Sequence, residues 1–277
     1  MINRISNTFY DGNSYYIPRS QEDAETGFVL ASLASGAIMG TLPFFSKPFQ
    51  KQMRKEHANN HLYKSIFEKS IKNSGLEKNG LKFEHTNFTK EDLAKLGTKL
   101  EAQIVNKDIK AGMNACYVPK FKTVLLNGEK ATISGFHELG HAMNHLQSKI
   151  GKFLQSLRKP GYAIAGLMGT LALFSRPKPK EAKRDLGDFA LDNCGKIAFI
   201  SLLPTVAEEA LASYKGVKLA KANGLSDKLI KNLKKFYGKA LISYFGYAVA
   251  TGIAVFTASK ITEYFTRPKK VTLDSNY

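Results

Sequence analysis

The sequence predicts a mainly α chain with a small β-sheet (α+β), part of it embedded in a membrane. Three observations carry this. Residues 26–46 and 240–259 are free of charge over about the length that crosses a bilayer. Residues 131–149, ATISGFHELGHAMNHLQSK, contain no proline and read as a helix with an uncharged flank at Leu139, Gly140, Ala142 and Met143. Asn114–Val118 and Phe121–Leu126 have the content of short strands.

In chain order, residues 1–25 are polar, and no cleavable leader is visible, because the apolar run starts late and lacks a basic region before it. Residues 26–46 form the first expected transmembrane helix, with Gly36 and Gly40 spaced for close helix packing. Residues 47–160 form the expected soluble part. Within it, 48–73 reads as an amphipathic helix with Leu62, Ile66, Phe67 and Ile71 on one side, and Thr89 to Asp92 as a capping box opening a helix to about Glu101. The two strands and the helix over 131–149 complete it.

Residues 161–207 hold two weaker apolar stretches. The first, 161–175, is short for a span, and 189–207 carries Asp192 and Lys196. They suit a helical hairpin that enters the membrane, or two core helices. The basic linker from Arg176 separates them. A helix around Glu208 and Glu209 and a basic helix are expected over 208–239, the second transmembrane helix at 240–259, and a basic tail at 260–277. The mean hydropathy is mildly negative, which limits the expectation to two to four spans.

The net charge of +18 admits either lipid headgroups or nucleic acid. The lysines cluster beside uncharged runs, at Lys47 to Lys55, Lys228 to Lys239 and Lys260 to Lys270, and no nucleic-acid motif is visible. A bilayer with anionic headgroups is the simpler partner. Lys47, Lys51, Arg54 and Lys55 after the first span outweigh Arg4 and Arg19 before it, which places the soluble part in the cytoplasm. Cys116 and Cys194 lie in apolar surroundings without C-x-x-C spacing, as buried free thiols do.

Chemistry concentrates in His137-Glu138-Leu139-Gly140-His141. Imidazoles at i and i+4 leave one helix face a turn apart and can reach one Zn²⁺, while Glu138 beside them can take a proton from water. A zinc hydrolase needs a third protein ligand and a corner left open. His145 extends the row, but eight residues of straight helix carry it about two turns from His137, and Asn144 stands where a chain-turning glycine would have to be. It suits the rim better. The other source is Ala207-Glu208-Glu209-Ala210-Leu211-Ala212-Ser213, whose small residues would let a second helix approach closely. On this segment alone, a ligand and an acidic pair at a helix N-terminus are equally good readings.

The run Asn114-Ala115-Cys116-Tyr117-Val118-Pro119, then Thr123 to Gly128, then His137 to His141, then Glu209-Ala-Leu-Ala212-Ser213 resembles the membrane-embedded gluzincins. These include the CaaX prenyl endopeptidases and the bacterial heat-shock membrane proteases. The match covers about residues 110–215, and only the zinc motif in it is specific by itself. The resemblance implies a zincin-like catalytic domain combined with transmembrane helices, and Glu209 as third ligand, with Ala212 and Ser213 at its i+3 and i+4. It also favours a membrane hairpin over 161–207. Ser213 stands where the family usually has Asp, and no clear counterpart of its transition-state-stabilising His or Arg follows. Tyr214 and Lys215 are the candidates there, with His145, Glu208 and Ser213 as orienting groups.

The expectation is therefore a membrane-bound zinc metallopeptidase, with one zinc on His137, His141 and Glu209, Glu138 as general base, and a peptide or protein substrate. A strand just before the zinc helix could pair with that substrate. Two alternatives stand beside it: a membrane protein with a structural or sensory metal site, and a basic membrane-associated protein that binds no metal.

Overall fold

The computed structural model describes residues 10–11, 14–57, 60–84, 107, 109–112, 114–127, 129, 132–179 and 182–272. Among these the chain is mostly helical. The helices are α1 (Gln21–Met39), α2 (Leu42–His57), α3 (Lys64–Ser74), α4 (Thr132–Gln147), α5 (Lys149–Phe174), α6 (Leu186–Asp192), α7 (Cys194–Ala222) and α8 (Asp227–Thr266). Six short strands are described: β1 (Tyr10–Asp11), β2 (Ser14–Ile17), β3 (Lys82–Glu84), β4 (Cys116–Val118), β5 (Thr123–Leu125) and β6 (Lys269–Thr272). The chain divides into two units, one of Met1–Leu42, Pro160–Leu203 and Gly246–Tyr277, the other of Pro43–Lys159 and Pro204–Phe245. Three of these segments begin at a proline, and inside α5 and α7 each proline removes a helix hydrogen bond.

In the first unit, a capping box between Ser20 and Asp23 opens α1. The charge-free stretch 26–46 is not one helix, because the chain breaks at Gly40–Thr41 before α2. Gly36 meets nothing that a Cβ would touch, so the expected G-x-x-x-G packing is not used there. Other glycines make the close approaches. A Cβ on Gly27 would lie 2.6 Å from Cβ of Phe265, and one on Gly195 2.7 Å from the carbonyl oxygen of Gly252. A capping box from Asp185 opens α6, and the chain breaks at Asn193, so 189–207 is not one helix either. The polar N-terminal segment and the basic tail each contribute a strand: β2 pairs antiparallel with β6, Ser14 opposite Thr272 and Ile17 opposite Lys269.

Among the described residues, three helical stretches are long and apolar enough to cross a membrane: Gln21–Met53, Cys194–Ala222 and Asp227–Thr266. Residues 161–175, all but the last of them in α5, are not among them. In α1 only Gly27 and Ala31 are buried, while Phe28, Leu30 and Leu33 are exposed, the pattern of a helix solvated by lipid.

The second unit has its own core around Tyr63, Phe67, Leu76, Val124, Phe136, Leu139, Leu233 and Phe236. Phe67 on α3 meets Phe136 on α4 edge to face, with centroids 5.2 Å apart. The expected helix over 48–73 is instead α2, a 3₁₀ turn at Asn60–Leu62, and α3. Phe67 is buried as expected, but Leu62 is 47% exposed, because the turn rotates it off the α3 face. The Thr89 to Asp92 capping box lies outside the described residues. The sheet runs β3-β5-β4, with β3 and β5 parallel and β4 antiparallel to β5. That order makes β4 the edge strand nearest the H-E-x-x-H helix.

Candidate metal centre

Two helices of the second unit carry the site: α4 brings His137, Glu138, His141 and His145, and α7 brings Glu208, Glu209 and Ser213. Absent side chains let them meet. A Cβ on Gly140 would lie 2.7 Å from the carbonyl carbon and 2.9 Å from Cα of Ala212, and one on Gly216 2.9 Å from the carbonyl carbon of Phe136. Ala212 is fully buried in this contact. Because Glu208 and Glu209 lie well inside α7, they are not an acidic pair at a helix start.

Nε2 of His137 and Nε2 of His141 lie 3.0 Å apart, and Oε2 of Glu209 lies 3.0 Å from the first and 3.4 Å from the second. Corners of a tetrahedron with metal bonds of about 2.0–2.1 Å are separated by about 3.3–3.4 Å, so the three atoms fit a zinc-sized ion. The fit is chemical as well. Nδ1 of His141 lies 2.9 Å from Oε1 of Glu208, and Nδ1 of His137 lies 3.2 Å from Oγ of Ser213. The Glu208 carboxylate favours the proton on Nδ1 of His141, which turns that ring's Nε2 lone pair toward Nε2 of His137 and Oε2 of Glu209. A cation held among these atoms would satisfy them together. Without a metal a proton takes the part: burial works against charge on His141, but Glu209 and the hydrogen bonds to both carboxylates raise its pKa well above the ordinary 6.5.

The remaining oxygens of the two carboxylates are occupied. Oε1 of Glu208 also accepts from Nδ2 of Asn144 at 2.8 Å and Nε2 of Gln155 at 2.9 Å. Arg158 on α5 spans the pair, with Nη1 2.9 Å from Oε2 of Glu208 and Nη2 2.9 Å from Oε1 of Glu209. Glu208 and Glu209 are both buried, in a helix apolar enough to cross a membrane, where ionised groups persist only with partners of this kind.

Glu138 is held by the edge strand. The backbone N–H of Tyr117 on β4 donates to its Oε2 at 2.6 Å, and among the described residues nothing donates to its other oxygen. Burial raises the Glu138 pKa, against the lowering influence of His141 and His137. The free edge of β4 is thus partly engaged, since its outward-facing Tyr117 amide is already bonded. The Tyr117 hydroxyl lies 2.7 Å from Nδ1 of His145. Burial pushes that phenol up to about 12, and burial, then Lys152 and Lys122, lower the His145 pKa, so a neutral phenol donates to a neutral imidazole. His145 sits on the rim and ties β4 to α4.

A cavity of about 500 Å³ opens over these groups, bounded in part by Phe49, Cys116, Lys159, Phe236 and Tyr244. Cys116 is half-buried, not fully buried as expected, and burial followed by the Glu138 charge pushes its thiol up to about 12. Tyr214 and Lys215 do not line the cavity, and Tyr214 is 63% exposed. Tyr237 packs its ring 5.2 Å from that of His137 and donates to the Ile133 carbonyl at 2.6 Å.

Reading the sequence missed Asn144, Gln155, Arg158 and Tyr237. The only trace was the spacing of Gln155 and Arg158, three apart on one helix face. No protein-family model matches the chain, and no curated protein or solved structure matches it either.

Proposed function

We propose that this chain is a membrane-bound zinc-dependent endopeptidase, an integral membrane protein whose second unit faces the cytoplasm. His137, His141 and Glu209 hold one zinc ion. The observation that carries the reading is the convergence of two imidazole nitrogens and one carboxylate oxygen, each on a group whose other polar atom is occupied, within 3.0–3.4 Å of one another and beside the Glu138 carboxylate. Zinc at that position supplies Lewis acidity toward water and a peptide carbonyl.

The protein's own groups do the rest. Glu138, fixed through one oxygen by the Tyr117 amide, takes the proton from the attacking water with the other and then delivers it to the departing amine. Edge strand β4, whose Tyr117 amide is held by Glu138, offers the Tyr117 carbonyl to an extended peptide, and the cavity accepts the side chains beside the scissile bond. Glu208 does not close the fourth corner, since His141, Asn144, Gln155 and Arg158 take both of its oxygens, and this disfavours a purely structural metal clasp. The lysines beside the apolar helices suit anionic headgroups.

The test is Glu138→Gln, assayed for zinc content and for cleavage of a fluorogenic peptide mixture. Zinc is retained, and cleavage falls by about 10²–10⁴, the usual weight of a positioned acid–base group. Normal cleavage by this variant refutes the mechanism.

A further inference from the structure

The carboxylates of Glu208 and Glu209 offer four oxygens in a buried space, and hydrogen bonding distributes them unequally. Both oxygens of Glu208 are taken, Oε1 by His141, Asn144 and Gln155 and Oε2 by Arg158. Oε1 of Glu209 is taken by Arg158 as well. Only Oε2 of Glu209 remains, and it faces the two imidazoles. One guanidinium therefore sorts one oxygen toward the metal position from three that are turned away.

The fork geometry is what makes this sorting rigid. Two nitrogens of one planar group, each 2.9 Å from a different carboxylate, fix the separation and tilt of the two acids together. Adjacent acids on one helix repel, and both are buried, so without the guanidinium the pair would have to turn apart or take up a proton.

We infer that Arg158 is the positioning residue that restricts Glu209 to one-oxygen ligation and so keeps one corner of the metal site open. This rests on the zinc reading above and deepens it. A carboxylate freed from Arg158 would turn both oxygens to the metal, occupy the position that water needs, and loosen its hold on the helix geometry. Arg158 acts through Glu209, without touching the metal.

The experiment uses the full chain in detergent or lipid discs, with zinc affinity measured by competition with a chelating dye and Co²⁺ as a spectroscopic probe of coordination number. Arg158→Met lowers zinc affinity by about 10–100-fold, the usual effect of removing a group that orients a ligand. Its Co²⁺ visible bands weaken, as they do when four-coordination gives way to five. Arg158→Lys keeps the charge but not the fork, so its bands weaken as well, with a smaller loss of affinity. The double variant Arg158→Met with Glu208→Gln restores the charge balance and guards against a folding failure of the single variant. If position matters, its bands stay weak. Wild-type affinity and wild-type bands in Arg158→Met, or recovery of both in the double variant, overturn the inference while leaving the zinc reading standing. A wild-type chain that binds neither zinc nor Co²⁺ sinks both.

Discussion

Gly140→Ala is the sharpest test of how the site is assembled. The added Cβ would fall 2.7 Å from the carbonyl carbon of Ala212 and 2.9 Å from its Cα, and closer still to the carbonyl oxygen. Ordinary contact with carbon begins at about 3.4 Å, so the helices must separate by at least about 0.7 Å, and the obstacle is backbone, which cannot rotate away. Overpacking of this kind costs about 1–3 kcal/mol. The larger effect falls on the metal. Glu209 lies one turn before Ala212 on α7, so a shift of this size carries its Oε2 out of the narrow range of about 2.0–2.2 Å that zinc–carboxylate bonds tolerate. Gly238→Ala provides the control, because a Cβ there meets nothing and alanine favours a helix interior by about 1 kcal/mol. Zinc content and thermal unfolding of the two purified variants decide the matter. Gly140→Ala loses most of its zinc while Gly238→Ala keeps it and unfolds no earlier than wild type. Full zinc occupancy in Gly140→Ala refutes the claim that the Gly140–Ala212 contact sets the ligand geometry.

Other outcomes follow from the same geometry. Chelation should lower the unfolding temperature, since a ligand at 100 times its dissociation constant adds about 2.7 kcal/mol to the folded state; an unchanged melting curve after metal removal speaks against a bound ion. His145 has a folded pKa below its ordinary value, so the unfolded chain takes up a proton that the folded chain refuses. Its contribution to stability is complete above about pH 6.5 and is lost as pH falls from there through the folded pKa. His145→Gln should therefore lose less stability than wild type between about pH 7 and pH 5. Identical pH slopes in calorimetry would argue that His145 is solvated in the folded state.

The parts of the site legible in sequence were those written at helical spacing. His137 and His141 share one face of α4, and the Ala212 and Ser213 positions of the E-x-x-A-S frame have visible work: Ala212 lies under Gly140, and Ser213 reaches Nδ1 of His137. Glu208, expected among the orienting groups, holds Nδ1 of His141. Arg158, Gln155 and Asn144 were not legible, because a polar residue that reaches a partner 50 to 64 positions away leaves no periodic mark. Asn144 was noticed only as the wrong residue for a chain turn; its role is to donate to Glu208.

For the fold, charge-free length indicated apolar helices near 26–46 and 240–259, but not their limits. α8 runs 40 residues, well past its uncharged centre, whereas the first stretch breaks at Gly40–Thr41. Hydropathy measures what a segment is made of, and caps and prolines decide where its helices stop. The pairing of β2 with β6 joins segments more than 250 residues apart, each too short to announce a strand.

The most direct measurement is the metal content of the purified wild-type chain beside His141→Ala and Glu209→Ala. The account predicts one zinc per wild-type chain and a loss of most of it in both variants. Wild-type chain without zinc, or equal zinc in Glu209→Ala and wild type, would contradict it.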